Sequence, residues 1–105
     1  MKHEEVKKYF EKMTREFPNA KKLWMIMLIQ DGMTLTELKE ESGMNYTYLH
    51  EIVKDLEERN FIRSEKIGRN KVLTLTDKGN IISILLLLLA LEYFKSTDSV
   101  DVSRN

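Results

Sequence analysis

The hydrophobic pattern changes period several times along the chain, and each change marks an element. Val6, Phe10, Met13 and Phe17 recur at steps of four, three and four with lysine and glutamate between them, which predicts an amphipathic helix from Lys2 to Phe17. Pro18 stops it, because proline has no N–H and restricts the residue before it. Asn19 is the expected N-cap of a second helix through Leu23-Trp24-Met25-Ile26-Met27-Leu28-Ile29, apolar on every side and therefore central. Asp31-Gly32 ends it. A third, short helix begins within Thr34-Leu35-Thr36-Glu37, with Thr36 the expected cap and Glu37 complementing the positive end of the dipole. Gly43 closes it, Asn45 opens a fourth helix, and Asn60 ends that one.

Only Met44 separates the closing glycine from the next cap, and two short helices joined by so tight a turn read as a helix-turn-helix. After Asn60 the period falls to two. Phe61–Ile67 and Lys71–Thr76 are predicted strands, joined by a turn at Gly68-Arg69-Asn70. Thr76-Asp77-Lys78-Gly79 starts a last helix with Thr76 as cap, and twelve of the fourteen residues from Ile81 to Phe94 are apolar. The stretch from Ser96 to Asn105 is polar and expected to fray. The predicted class is mainly α with a small β-hairpin, α+β.

Composition narrows the function more than the fold. The chain carries 17 Lys+Arg against 17 Asp+Glu, so a polycationic coat for nucleic acid is excluded and any basic site must be local. Local sites exist: residues 61–76 hold Arg63, Lys66, Arg69 and Lys71 against Glu65, and residues 1–22 hold seven bases against four acids. The middle, residues 30–60, is acidic, with eight acids against three bases. The absence of cysteine removes disulfides, thiolate metal sites and thiol catalysis, and fits a reducing compartment. No secretory signal is visible behind Met1, and a cytoplasmic location is expected. His3 and His50 are the only histidines, without a metal-ligand spacing or a glycine-rich phosphate loop, so no enzyme activity, metal or cofactor is expected.

Thr34-Leu35-Thr36-Glu37-Leu38, Gly43-Met44-Asn45, Leu49, Leu56-Glu57-Glu58-Arg59-Asn60-Phe61-Ile62 and Leu75-Thr76-Asp77-Lys78-Gly79 fall where winged-helix domains place matching residue types. Over about residues 20–95 the chain resembles the MarR-like regulators and the small dimeric winged-helix DNA-binding proteins of archaea. The resemblance implies a winged helix-turn-helix at 19–79. An N-terminal supporting helix would occupy 1–18, a C-terminal dimerisation helix 80–95 and a polar tail 96–105. It also implies a homodimeric transcriptional regulator of double-stranded DNA, with helix 45–59 in the major groove and the wing 62–76 on backbone or minor groove.

On helix 45–59, Leu49, Ile52, Val53 and Leu56 form one stripe at 100° per residue and must face the core. The outward residues nearest its start, Tyr46, Thr47, His50 and Glu51, are the candidates for base edges, Thr47 toward a thymine methyl and Glu51 toward cytosine N4. Lys54 and the Tyr48 hydroxyl suit phosphates, and Asn45 and Asn70 complete the set with Arg63, Lys66, Arg69 and Lys71. Two plainer readings stand beside these: Glu51, Glu57 and Glu58 as a solvated helix surface, and the basic hairpin as an edge strand protected against aggregation. Helix 45–59 has Lys54 and Arg59 against four acids, which keeps open a protein-interaction module without DNA binding. Lys21 and Lys22 are further candidates for backbone contacts.

A helix apolar all round must be covered all round. Ile81–Phe94 spans about 21 Å, short of a membrane crossing, so a second copy is the expected cover and an interfacial membrane anchor the rival. The expected dimer interface is Val6, Phe10, Met13, Phe17, Ile82, Leu85, Leu86, Leu89 and Tyr93. An unknown small-molecule effector between terminal helices and DNA-binding core would meet Trp24 or Tyr93, residues better read as ordinary core.

Overall fold

In a computed structural model, residues 1–104 are described, with side chains through Lys95. The helices are α1 (His3–Glu16), α2 (Lys21–Leu28), α3 (Leu35–Ser42), α4 (Tyr46–Glu58) and α5 (Asp77–Arg104), with a short 3₁₀ turn at Pro18–Ala20. Three strands, β1 (Met33–Thr34), β2 (Ile62–Ile67) and β3 (Asn70–Leu75), form an antiparallel sheet in the order β1-β3-β2. The mainly α, α+β class holds, and the helix-turn-helix followed by a hairpin stands where the pattern put it.

The core is built on α2. Trp24 to Ile29 are all buried, and Phe10 and Met13 of α1, Leu35 and Leu38 of α3, the apolar stripe of α4, Ile62, Leu73, Leu86 and Ala90 close around them. Leu23 is the exception at 39% exposure, so α2 is not covered on every side.

Two expected caps move. Asn19 lies in the 3₁₀ turn and makes no side-chain cap to α2. Thr34, rather than Thr36, caps α3: its hydroxyl accepts from the Glu37 N–H at 3.1 Å while the Glu37 carboxylate accepts from the Thr34 N–H at 3.1 Å. That reciprocal pair satisfies two donors, which a cap at Thr36 would leave open. Two other starts stand as expected. The Asn45 side chain accepts from the Tyr48 N–H at 2.8 Å, and Thr76 Oγ1 accepts from the Gly79 N–H at 3.0 Å. Gly43 closes α3 at φ 71°, in the left-handed region glycine tolerates.

Strand β1 was not foreseen. It pairs with the middle of β3, Met33 with Leu73 and Thr34 with Val72, and two residues are too few to show a period. The hairpin register pairs Ile67 with Asn70, leaving only Gly68 and Arg69 as loop, so Asn70 belongs to β3 and not to the turn. Gly68 has φ 62°, as a two-residue hairpin loop requires at its first position.

The hairpin returns to α5 through a close junction. The Thr76 hydroxyl donates to the Asn60 carbonyl at 2.6 Å, and the Thr76 N–H donates to the Phe61 carbonyl at 3.0 Å. Gly79 is buried there: a Cβ on it would stand 1.9 Å from the Phe61 carbonyl oxygen. Helix α5 continues to Arg104 rather than stopping at 95, and the side chains of the expected frayed tail, 96–105, lie outside the described residues.

Substituting Gly79→Ala should cost about 3 kcal/mol, because backbone rather than a movable side chain is in the way. Urea unfolding would measure it, and a loss under about 1 kcal/mol would mean the junction yields.

Candidate nucleic-acid interface

Helix α4 buries Leu49, Ile52, Val53 and Leu56 and turns its other faces outward. Tyr46, Thr47, Tyr48, His50, Glu51, Lys54 and Glu58 are exposed, so every expected base-edge and phosphate candidate on the helix is accessible. Asn45 is exposed, but its side-chain oxygen serves as the cap. Tyr46 leans toward α3: its hydroxyl lies 3.1 Å from Thr36 Oγ1 and its ring 5.1 Å from the Lys39 ammonium.

The acids of α4 divide into two kinds. Asp55 sits between Arg59 at 3.0 Å and Lys22 at 3.2 Å. Hydrogen bonds from Arg59 first and Lys22 second hold its carboxyl below the ordinary aspartate range. Glu57 is half-buried, accepts from the Ser64 hydroxyl and lies 3.9 Å from the Lys71 ammonium. It is therefore a link between α4 and the hairpin rather than a solvated surface group. Glu51 and Glu58 stand exposed.

The hairpin splits its bases by strand alternation. Ile62, Ser64 and Lys66 share one face with Lys71, Leu73 and Leu75, and this face turns toward α4. Arg63, Glu65 and Ile67 share the other with Asn70, Val72 and Thr74. Arg69 occupies the loop and is exposed, as are Arg63, Lys66 and Asn70. Lys66 and Lys71 are directly opposed, an unfavourable like-charge pair that Glu57 relieves on one side. Lys22, a candidate backbone contact, is engaged with Asp55, while Lys21 lies half-buried beside α1.

The expected dimer residues also divide. Phe10, Met13 and Leu86 are 2%, 1% and 8% exposed within a single chain, so they belong to its own core and not to an interface. Val6 and Ile82 pack partly against that core. Phe17 is partly exposed, its ring packed edge-on against Tyr93. The Tyr93 hydroxyl donates to Glu16 at 2.7 Å, which with burial and the Glu16 charge pushes the phenol's pKa up. The open face of α5 is instead Ile81, Ile84, Leu85, Leu88 and Leu89, each between 52% and 59% exposed. Three of these five were missed, because an unbroken apolar run carries no period to separate its faces. Trp24 is core, its indole N–H donating to the Phe17 carbonyl at 3.1 Å. A wholly apolar cavity of about 240 Å³ nevertheless lies between Trp24, Phe17, Leu89 and Tyr93.

His3 lies 2.6 Å from the Glu41 carboxylate at the end of α3. Among the described residues no cluster of three or more metal-ligating side chains occurs, and no helix is long and apolar enough to cross a membrane.

This arrangement has a counterpart among known domains: the family described as the DUF6293 C-terminal winged helix domain matches residues 2–86. The chain belongs to that family. Among solved structures the winged-helix domain is similar to MepR, a transcription regulator of the Staphylococcus aureus multidrug efflux pump MepA. The TM-score is 0.64 at 19% identity, over 92% of this chain and 76% of that one. MepR in complex with DNA aligns at 0.60 and 19% identity over 98% of this chain and 76% of that one. AF1382 from Archaeoglobus fulgidus aligns at 0.59 with 23% identity, over 88% of this chain and 97% of its own. Sso10a-2, a DNA-binding protein from Sulfolobus solfataricus, aligns at 0.55 with 15% identity, over 76% and 85%. No curated protein matches the chain in sequence. At these identities the likenesses establish the fold, which this winged-helix domain shares with transcription regulators.

Because folding lowers the Asp55 pKa, the pair stabilises the native state above the ordinary aspartate value, and that contribution disappears as pH falls through the lowered one. The melting-temperature gap between the natural chain and Asp55→Asn should be present at neutral pH and close below about pH 4. A gap that persists unchanged in acid would show that the Lys22–Asp55–Arg59 triplet contributes nothing through its charge.

Proposed function

We propose that the chain is a homodimeric transcriptional regulator of double-stranded DNA, with α4 in the major groove and the β2–β3 wing on backbone or minor groove. The observation that carries this reading is the pairing of the α4 acids. Taken alone with its C-cap Arg59, the helix has two more acids than bases. Lys22 and Lys71, brought in by Asp55 and Glu57, make it four bases against four acids, and Lys66 and Arg69 of the wing add positive charge, with Arg63 and Glu65 offsetting each other on its far face. The repulsion a phosphate backbone would feel from the isolated helix is thereby reduced, and Thr47, His50 and Glu51 are exposed to meet base edges. The MepR complex with DNA and the description of Sso10a-2 as DNA-binding lend the same fold a precedent.

The pairing surface in this reading is the open α5 stripe from Ile81 to Leu89. Five large apolar side chains at helical spacing are more than a soluble surface leaves uncovered, and a second copy offers the complementary stripe. Two modules at fixed separation also raise affinity without new contacts. An effector would be a small apolar molecule in the cavity beside Trp24 and Tyr93.

Fluorescence anisotropy with a duplex should give a log–log salt slope of about −4 to −7 for the dimer. Arg69→Ala should weaken binding to every duplex, and Thr47→Ala should change which sequence binds best. A flat salt response, with capture of a basic protein instead, would replace this reading with an interaction module. In sedimentation equilibrium, Leu85→Lys combined with Leu88→Lys should leave a folded monomer; an unchanged dimer would move the interface elsewhere.

A further inference from the structure

We infer that Thr36, Lys39 and Tyr46 form a phosphodiester-binding subsite that joins α3 to α4, a role that rests on the DNA-binding reading above. Thr36 and Lys39 are one turn apart on α3, and Tyr46 reaches them from the first turn of α4. The two hydroxyls lie 3.1 Å apart, and the Lys39 ammonium stands 5.1 Å from the centre of the Tyr46 ring. Two hydroxyls carry two hydrogens, of which their mutual bond uses one. The second is left to donate outward, beside an ammonium with three donors.

No ion pair among the described residues ties up that positive end. Among the described residues no carboxylate lies within 4.0 Å of the Lys39 ammonium. The nearest acid in the first turn of α3, Glu37, is turned back onto the Thr34 N–H and hydroxyl at 3.1 and 3.0 Å. Thr36 is exposed and Tyr46 is 42% exposed, so a ligand can reach both. A singly charged oxyanion meets one cation and a hydroxyl donor here.

The geometry also separates Tyr46 from the base-reading residues. Its hydroxyl is committed to the α3 side, where the first helix of a helix-turn-helix crosses the backbone, while Thr47 and His50 occupy the outward face of α4. Tyr46 therefore positions and holds phosphate rather than reading sequence, and its ring holds Lys39 over the same point.

Anisotropy titrations of the whole chain, over a salt series, with a duplex selected from a random pool and with its scrambled counterpart, test this. Lys39→Gln should reduce the steepness of the log–log salt dependence by about 0.9 for each subunit bound. Tyr46→Phe, which keeps the ring, should weaken both duplexes by the same factor of about three to ten and leave the slope unchanged. An unchanged slope for Lys39→Gln, or a reordering of the two duplexes by Tyr46→Phe, overturns the subsite while Arg69→Ala still reports on the wing. Absence of salt-dependent duplex binding by the natural chain overturns the proposed function, and the subsite with it.

Discussion

The backbone of Gly79 lies against the carbonyl of Phe61, and the geometry of the whole domain follows from how close that approach is. Thr76 sits at the same place, donating to the Asn60 carbonyl and capping α5 through one hydroxyl. The end of α4, the root of the hairpin and the start of α5 are therefore fastened at one point. Asn60, at φ 64°, turns the chain out of α4 into β2 immediately before it. Because the three elements leave a common junction, the direction of the long helix is set relative to the outward face of α4. A looser junction would leave the two ends of the molecule free to pivot.

Charge is arranged around that frame as pairs bridging elements rather than as a basic coat. Lys22 of α2 meets Asp55, and Lys71 of β3 meets Glu57, so each contact fixes α4 to a neighbour while cancelling one of its acids. Exposed pairs of this kind add little stability. Their larger effect is on potential, because they leave the wing bases and Lys54 less opposed than a tally along the chain suggests.

Much of this was legible in the sequence, and the misses have physical reasons. The caps Asn45 and Thr76 and the closing Gly43 were legible. Thr34 and Thr36 did compete, and the deciding signal was present, since Glu37 stands three residues after Thr34 and makes the reciprocal box. Strand β1 left no trace because two residues cannot alternate. The outward candidates of α4 are accessible as expected, since an amphipathic helix declares its buried side. Helix α5 declares none. With nearly every position apolar, sequence could not tell Leu86, which enters the core, from Ile81, Ile84 and Leu88, which do not. Nor could it show Tyr46 turning toward Lys39, a contact across a helix–helix angle that only the fold defines.

The wing has almost no slack. With Ile67 and Asn70 still in the ladder, Arg69 is carried by the strands themselves and not by a floppy connection. A loop held that way has few backbone conformations to surrender, so in the proposed docking less of the attraction at its tip would be lost to ordering the chain. The same stiffness fixes where the tip of the hairpin stands. In the proposed reading, such a wing would meet a groove of one width and depth and would select among duplexes by their shape before any base is touched.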